Sequence, residues 1–335
     1  MVKKKLFKND KILLAGSNGM VGKAILRKLV KNGYGKDKFD GKIFTPSKQK
    51  LNYLNYSELE NWFDINKPNI VIIAAAKVGG IYANNKYPAD FLLENLIIQN
   101  NLISIAWKKK VRRLLFLGSS CIYPKFSKQP IIEDYLLSGP LEKTNENYAL
   151  AKIAGIKLCE SLRKQYAFDA ISCMPSNLYG PFDNYHYENS HVLPALIRKI
   201  IESKENHKNE IICWGSGSPF REFLHVDDLA DASLFLLDNW DPSVIDDPKN
   251  SCNWINVGTG SEISIKELVD KICFHTGYKG EIIWDKTRPD GTPRKKLCIK
   301  KINSLGWSHK INIDEGIKMT IKSFLYERQN GILRK

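Results

Sequence analysis

Tyr148 and Lys152 stand four residues apart in Glu146 to Tyr166, a stretch whose pattern predicts a helix, so their side chains share one face about a turn apart. A phenol with a reference pKa of about 10 exchanges protons poorly at neutral pH, but a neighbouring ammonium and a cofactor charge favour its phenolate. Lowering that pKa by about three units corresponds to roughly 4 kcal/mol of differential interaction. Ser119 follows the apolar run Leu114 to Leu117, so a predicted strand delivers it to the carboxyl edge of a sheet, where open α/β folds bind ligands. A serine to hold a substrate oxygen, a tyrosine to pass its proton and a lysine to hold a ribose while tuning the tyrosine make a carbonyl/alcohol redox site. Tyr-x-x-x-Lys also arises by chance in many helices; its meaning depends on what precedes it.

Upstream lies Gly16-Ser-Asn-Gly-Met-Val-Gly22, between the predicted strand Lys11 to Ala15 and a helix carrying Ala24, Ile25, Leu29 and Val30. Gly16 permits the turn out of the strand, Gly19 leaves space for a pyrophosphate, and Gly22 lets the helix pack closely. The free N–H groups at the helix start suit phosphate. The dinucleotide is therefore expected on Gly16, Asn18, Gly19, Met20, Val21 and Gly22. After a second predicted strand, Lys42 to Phe44, the chain runs Thr-Pro-Ser-Lys-Gln-Lys50 with no acid to repel a 2′-phosphate. Ser47 and Lys48 can receive that phosphate, which favours NADP over NAD; the alternative for Lys48 is an ordinary exposed lysine.

These groups need a scaffold. Further predicted strands at Ile70 to Ala74, Arg113 to Leu117, Ala170 to Met174 and Trp254 to Val257 alternate with helical stretches, which argues for a parallel sheet covered on both faces. The expected fold is α/β: a Rossmann-type doubly wound parallel sheet with a smaller mixed α/β substrate-binding domain. Residues 8–177 form the nucleotide domain, 178–229 a substrate-domain segment, 230–259 a return to the first domain, and 260–330 mostly the second. Helices are expected at Leu193 to Ser203, Ser264 to Phe274 and Ile313 to Arg328, with Phe182 to Asn189 as a binding loop and Arg288 to Pro293 as a Gly/Pro-rich loop.

Composition excludes several alternatives. At 43% hydrophobic and 26% charged, the 335 residues match an ordinary globular chain. No apolar run is long enough to span a bilayer, and Met1 to Asp10 lacks a cleavage signal, so a cytoplasmic protein without membrane contact is expected. The seven cysteines are scattered singly with no C-x-x-C pair, which argues against disulfides or a bound metal. The net charge of +15 attracts polyanions, yet no recognition helix, zinc finger or basic-aromatic interleaving accompanies it, so nucleic acid is not an expected partner.

Beyond these motifs, the strings Ala74-Ala-Ala-Lys-Val-Gly-Gly-Ile81, Gly118-Ser-Ser-Cys-Ile-Tyr-Pro124, Tyr148 to Glu160, Asn177-Leu-Tyr-Gly-Pro181, Trp214-Gly-Ser-Gly217, Arg221-Glu-Phe-Leu-His-Val-Asp-Asp228 and Pro289-Asp-Gly-Thr-Pro-Arg294 span nearly the whole chain. With them the sequence resembles the extended short-chain dehydrogenase/reductase family, in particular its epimerase/reductases of GDP-sugars. The resemblance implies NADPH-dependent 3,5-epimerisation and 4-reduction of a GDP-linked 4-keto-6-deoxy sugar, GDP-4-keto-6-deoxy-D-mannose, by a homodimer. It implies Cys121 as base and His191 as acid in the epimerisation, Ala75 beside the cofactor, and Asn177, Lys199, Trp214, Arg221 and Arg294 around the substrate. Two positions depart from the family pattern: Lys199 replaces a more usual arginine, and Asn18 a commonly basic residue. Without the resemblance, Cys121 fits a small buried apolar side chain, His191 a structural or surface histidine, and the arginines surface or interdomain ion pairs. Two further readings stay open: a C4-reductase on a related GDP-4-keto-6-deoxy sugar such as a heptose, and a non-enzymatic dinucleotide sensor.

Overall fold

The computed structural model describes residues 5–36, 39–242, 252–287 and 290–334. Its centre is a wholly parallel sheet. The apolar run Lys11–Ala15 forms β1, followed by α1 (Met20–Lys31), β2 (Lys42–Phe44), α2 (Tyr56–Asn66), β3 (Ile70–Ile73), α3 (Ile81–Lys86) and α4 (Pro88–Lys108). Next come β4 (Arg113–Leu117), α5 (Glu146–Tyr166), β5 (Ala170–Pro175) and the short β6 (Asn177–Tyr179). Five of these strands and β10 (Trp254–Val257) pair in the order β2-β1-β3-β4-β5-β10. The chain winds outward from β1 in both directions, which leaves a crevice at the carboxyl ends of β1 and β3. This is the Rossmann-type architecture expected from the alternation of strands and helices.

The central strands β3, β4 and β5 are buried along their whole length, which is why they read as unbroken apolar runs rather than alternating ones. Leu13, Val71 and Phe116 face α2, α4 and α5 on one side, while Leu14, Ile72 and Leu115 join α1 and α7 (Val226–Asn239) on the other. Small residues set the depth of α5: a Cβ on Gly155 would come within 2.6 Å of the Phe116 ring.

The remaining elements form a second body. Here α6 (Val192–Glu205), α8 (Ile265–Thr276) and α10 (Ile313–Gln329) enclose Leu193, Ile197, Leu268, Ile272 and Phe324. Three small sheets accompany them: β7 (Glu210–Trp214) with β12 (Glu281–Asp285), β6 with β9 (Phe223–His225), and β8 (Phe220–Arg221) between β11 (Ile263–Ser264) and β13 (Arg294–Lys295). The short α9 (Lys300–Ser304) returns to the central sheet, where Ile302 joins the core that holds α1 and α7. Ser264 and Glu267 form a reciprocal capping box that starts α8 one residue later than expected. Of the expected Arg288 to Pro293 loop, 288 and 289 lie outside the described residues.

A buried arginine ties the sheet to its flanking helix. Arg113 on β4 is 1% exposed, pairs with Asp169, and donates to the carbonyls of Leu236 and Trp240. Removing one partner of such a network leaves buried groups unsatisfied. Asp169 keeps Arg163 and Lys5 as partners, so the loss falls on the two carbonyls, and Arg113→Ala is expected to destabilise the fold by roughly 1–3 kcal/mol, readable as a lowered denaturation midpoint in urea.

Candidate active site

The glycine loop is tight where it must be and open where a ligand needs room. A Cβ on Gly16 would stand 2.5 Å from the backbone nitrogen of Ala75, and one on Gly22 would stand 2.1 Å from the Gly16 carbonyl oxygen. Gly16 also has φ +87°, a left-handed conformation that favours glycine. Above Gly19 the nearest atoms to such a Cβ are the Gly16 oxygen at 3.6 Å and the Arg334 Nη1 at 4.0 Å. That clearance, at the N-terminus of α1, fits a dinucleotide diphosphate. Met20 and Val21 pack partly against the core, and Asn18 is exposed. Beyond β2, Ser47 closes a turn through its carbonyl, which accepts from Lys50 and Leu51, and Lys48 is exposed beside it.

β4 delivers Gly118 and Ser119 as the sequence predicts. Ser119 caps a single 3₁₀ turn, its hydroxyl accepting from the Cys121 N–H at 3.3 Å, and this turn buries Cys121 to 8% exposure. Gly118 has no room for a side chain, because a Cβ there would meet the Met174 sulfur at 2.4 Å. On α5, Tyr148 and Lys152 share the face turned to this strand end: Lys152 Nζ donates to the Leu117 carbonyl at 2.8 Å and lies 5.8 Å from the Tyr148 ring centroid. Tyr148 packs edge-on against Phe91 of α4.

The electrostatics correct one expectation. Burial, then the nearby Cys121 thiol, pushes the Tyr148 phenol well above its usual range. Burial lowers the Lys152 ammonium to about 8. Lys152 is occupied with a backbone carbonyl, and desolvation sets the direction of the phenol's shift. The phenol is held protonated, the form that can donate to a developing alkoxide.

His191 caps α6 and is placed by glycine packing. Gly80, in the loop after β3, donates its N–H to the Asn189 carbonyl at 2.9 Å, and a Cβ on it would strike the Ser190 oxygen at 2.7 Å. Part of the His191 surface is open to solvent while the rest is enclosed by protein; that enclosure, followed by the charge of Lys295, lowers its pKa from about 6.5. The free imidazole is thus less often protonated at neutral pH than an isolated one.

Lys295 is the residue that sequence reasoning missed. On β13, Lys295 is in register with Arg221 of β8, and Arg294 with Phe220. Successive strand residues point to opposite faces, so Arg294 and Lys295 cannot both serve one site. Arg294, expected at the substrate, makes a two-pronged ion pair with Glu262, its Nε lying 2.8 and 3.0 Å from the two carboxylate oxygens. Lys295 instead interacts electrostatically with Cys121, Arg221 and His191, and burial lowers its pKa. The available signal was Lys295's position immediately after the recognised Asp-Gly-Thr-Pro-Arg string, read against strand alternation.

The other expected substrate residues are spread along the second body. Asn177 on β6 donates to the Glu222 carbonyl at 2.7 Å. Arg221 is half-buried, with its Nη1 on the Phe220 carbonyl at 2.8 Å. Lys199 reaches the Ile212 carbonyl, and Trp214, at the end of the same strand, is 67% exposed. Arg221 lies in the electrostatic group around Lys295, whereas Trp214 forms an open apolar platform at the end of β7.

Comparison with known proteins places this arrangement. The pattern of the NAD dependent epimerase/dehydratase family matches residues 12–248. The chain is 52% identical to the putative GDP-L-fucose synthase 2 of Arabidopsis thaliana over 96% of this chain and 93% of that one. It is 47% identical to the GDP-L-fucose synthase of Escherichia coli strain K12 over 94% and 97% of the two chains. Among solved structures, a GDP-mannoheptose C4 reductase from Campylobacter jejuni with NADP bound superposes with TM-score 0.85 at 35% identity, covering 96% of this chain and 99% of that one. With its parallel sheet, its glycine cradle and the Tyr148/Lys152 pair facing the end of β4, the chain belongs to the NAD dependent epimerase/dehydratase family, as an enzyme of the extended short-chain dehydrogenase/reductase type.

Proposed function

We propose that the chain carries out NADPH-dependent 3,5-epimerisation and 4-reduction of GDP-4-keto-6-deoxy-D-mannose to GDP-L-fucose. The observation carrying this reading is the meeting of two sets of groups at one strand end. Cys121 interacts electrostatically with Tyr148 and Lys152 on one side and with Lys295 on the other, and Lys295 in turn with His191. The relatives named GDP-L-fucose synthase support the substrate assignment.

The C4 ketone acidifies the hydrogens at C3 and C5. Cys121 takes such a proton, leaving an enolate whose oxygen is held by Ser119 and Tyr148, and His191 returns a proton to the opposite face. Lys295 balances the charge that develops between Cys121 and His191. Arg221 pairs with the diphosphate through its donor fork, and the anionic substrate opposes the lowering of the His191 pKa that burial and then Lys295 produce. Bound NADPH supplies the hydride for C4. Tyr148 gives its proton to the resulting oxygen, and Lys152 contacts the nicotinamide ribose.

Residues 8–177 and 230–259 make the nucleotide domain in this reading, with 178–229 and most of 260–330 forming the substrate domain. A cytoplasmic homodimer joins through α4 and α5, where Leu93 and Leu150 are exposed. No helix among the described residues is long and apolar enough to cross a membrane.

The test is product configuration. Incubation with the keto-sugar and NADPH gives a product inverted at C3 and C5 by NMR. A product reduced at C4 without inversion replaces this reading with a C4-reductase, the activity named for the Campylobacter jejuni structure. Cofactor choice has its own test: kcat/KM is expected to favour NADPH over NADH, and Lys48→Ala to narrow that gap by about tenfold, the worth of one charge-assisted hydrogen bond. Equal effects of Lys48→Ala on both cofactors would remove the lysine from the 2′-phosphate site.

A further inference from the structure

We infer that Arg334, in the segment after α10, is a cofactor-binding residue whose guanidinium closes over the glycine loop and pairs with the dinucleotide diphosphate. The inference rests on the dinucleotide reading above and extends it to a residue far from the nucleotide motif in sequence.

Gly16 to Gly22 contributes backbone N–H groups but no cationic side chain. A diphosphate brings two negative charges to that loop. The Arg334 Nη1 lies 4.0 Å from where a Cβ on Gly19 would be, over the opening that suits those phosphates. The segment carrying it is held on three sides. The Tyr185 N–H donates to the Arg334 carbonyl at 2.9 Å, Ile332 donates to the Glu327 carbonyl at 2.9 Å, and Leu333 packs against the core of the second body. The adjoining loop reaches α1, where Lys23 sits 4.0 Å over the Phe182 ring.

Among the described residues the Arg334 guanidinium makes no ion pair. The buried Asp183 is near enough to feel its charge, and burial raises that carboxyl to about 7. That carboxyl is only partly ionised at neutral pH, which weakens it as a competitor for the guanidinium. The planar fork of arginine suits phosphate oxygens better than a point charge does.

The test is direct binding, without turnover. Wild type, Arg334→Ala and Arg334→Lys are titrated with NADPH, NADH and adenosine 2′-phosphate by fluorescence and calorimetry, and thermal midpoints are recorded. Arg334→Ala is expected to raise Kd about tenfold for NADPH and NADH alike, because both carry the diphosphate. Adenosine 2′-phosphate, which lacks it, binds within about twofold of wild type, and Arg334→Lys recovers part of the loss. The exposed side chain leaves the thermal midpoint unchanged. Unchanged dinucleotide affinity, a loss confined to NADPH and adenosine 2′-phosphate, or a parallel fall in thermal midpoint and all three affinities would each overturn the assignment. Failure of the wild type to bind either dinucleotide would instead overturn the cofactor reading beneath it.

Discussion

Tyr148→Phe is expected to lower kcat for the natural keto-sugar by at least about 10²-fold, the lower end for loss of a positioned proton donor. Dinucleotide affinity and thermal stability are expected to stay near wild type. The phenol is half-buried against Phe91, and phenylalanine keeps that edge-on contact. What disappears is the proton that burial holds on the phenol oxygen. Steady-state kinetics checks the size of the effect, and single-turnover measurement places the loss in chemistry rather than product release. Near-wild-type turnover would remove Tyr148 from the proton-transfer step.

Cys121→Ser is expected to separate the two halves of the reaction. In D₂O without NADPH, the wild type should introduce deuterium at C3 and C5 of GDP-4-keto-6-deoxy-D-mannose. The serine variant should do so at least about 10²-fold more slowly, because a hydroxyl is a far weaker base than a thiolate. The 3₁₀ turn that buries Cys121 is held by its backbone N–H on Ser119, so the substitution leaves that turn in place. Reduction at C4, which uses Ser119, Tyr148 and Lys152, should survive and yield an uninverted alcohol when NADPH is added. NMR reads isotope position and configuration together. Deuterium uptake undiminished in Cys121→Ser would remove the thiol as base. Absence of uptake by the wild type, with efficient reduction, would leave only the C4-reductase. His191→Asn discriminates less, since this residue also caps α6 and its loss can disturb substrate placement.

Local pattern reached far into this protein. Continuous apolar runs marked the central strands because both faces of β3, β4 and β5 are covered. Three glycines at fixed spacing marked the nucleotide turn: a Cβ on Gly16 or Gly22 would clash, whereas Gly19 leaves open space above the loop. A four-residue separation placed Tyr148 and Lys152 on one helical face. Each of these signals is written in neighbouring residues, since backbone sterics and helical or strand period act over a few positions.

Tertiary structure decided the rest, for reasons that act across the chain. Which of Arg294 and Lys295 faces Cys121 depends on the register of β13 against β8, and a shift of one residue would exchange them. His191 reaches the cleft because Gly80 admits the backbone of Asn189 and Ser190. The direction of the Tyr148 shift followed from burial, which spacing does not reveal. Arg334 lies over Gly19 only because the segment after α10 returns to the first helix. Neighbouring residues specify the elements and the kinds of chemistry they can carry; long-range packing settles which charges meet and how strongly desolvation tunes them.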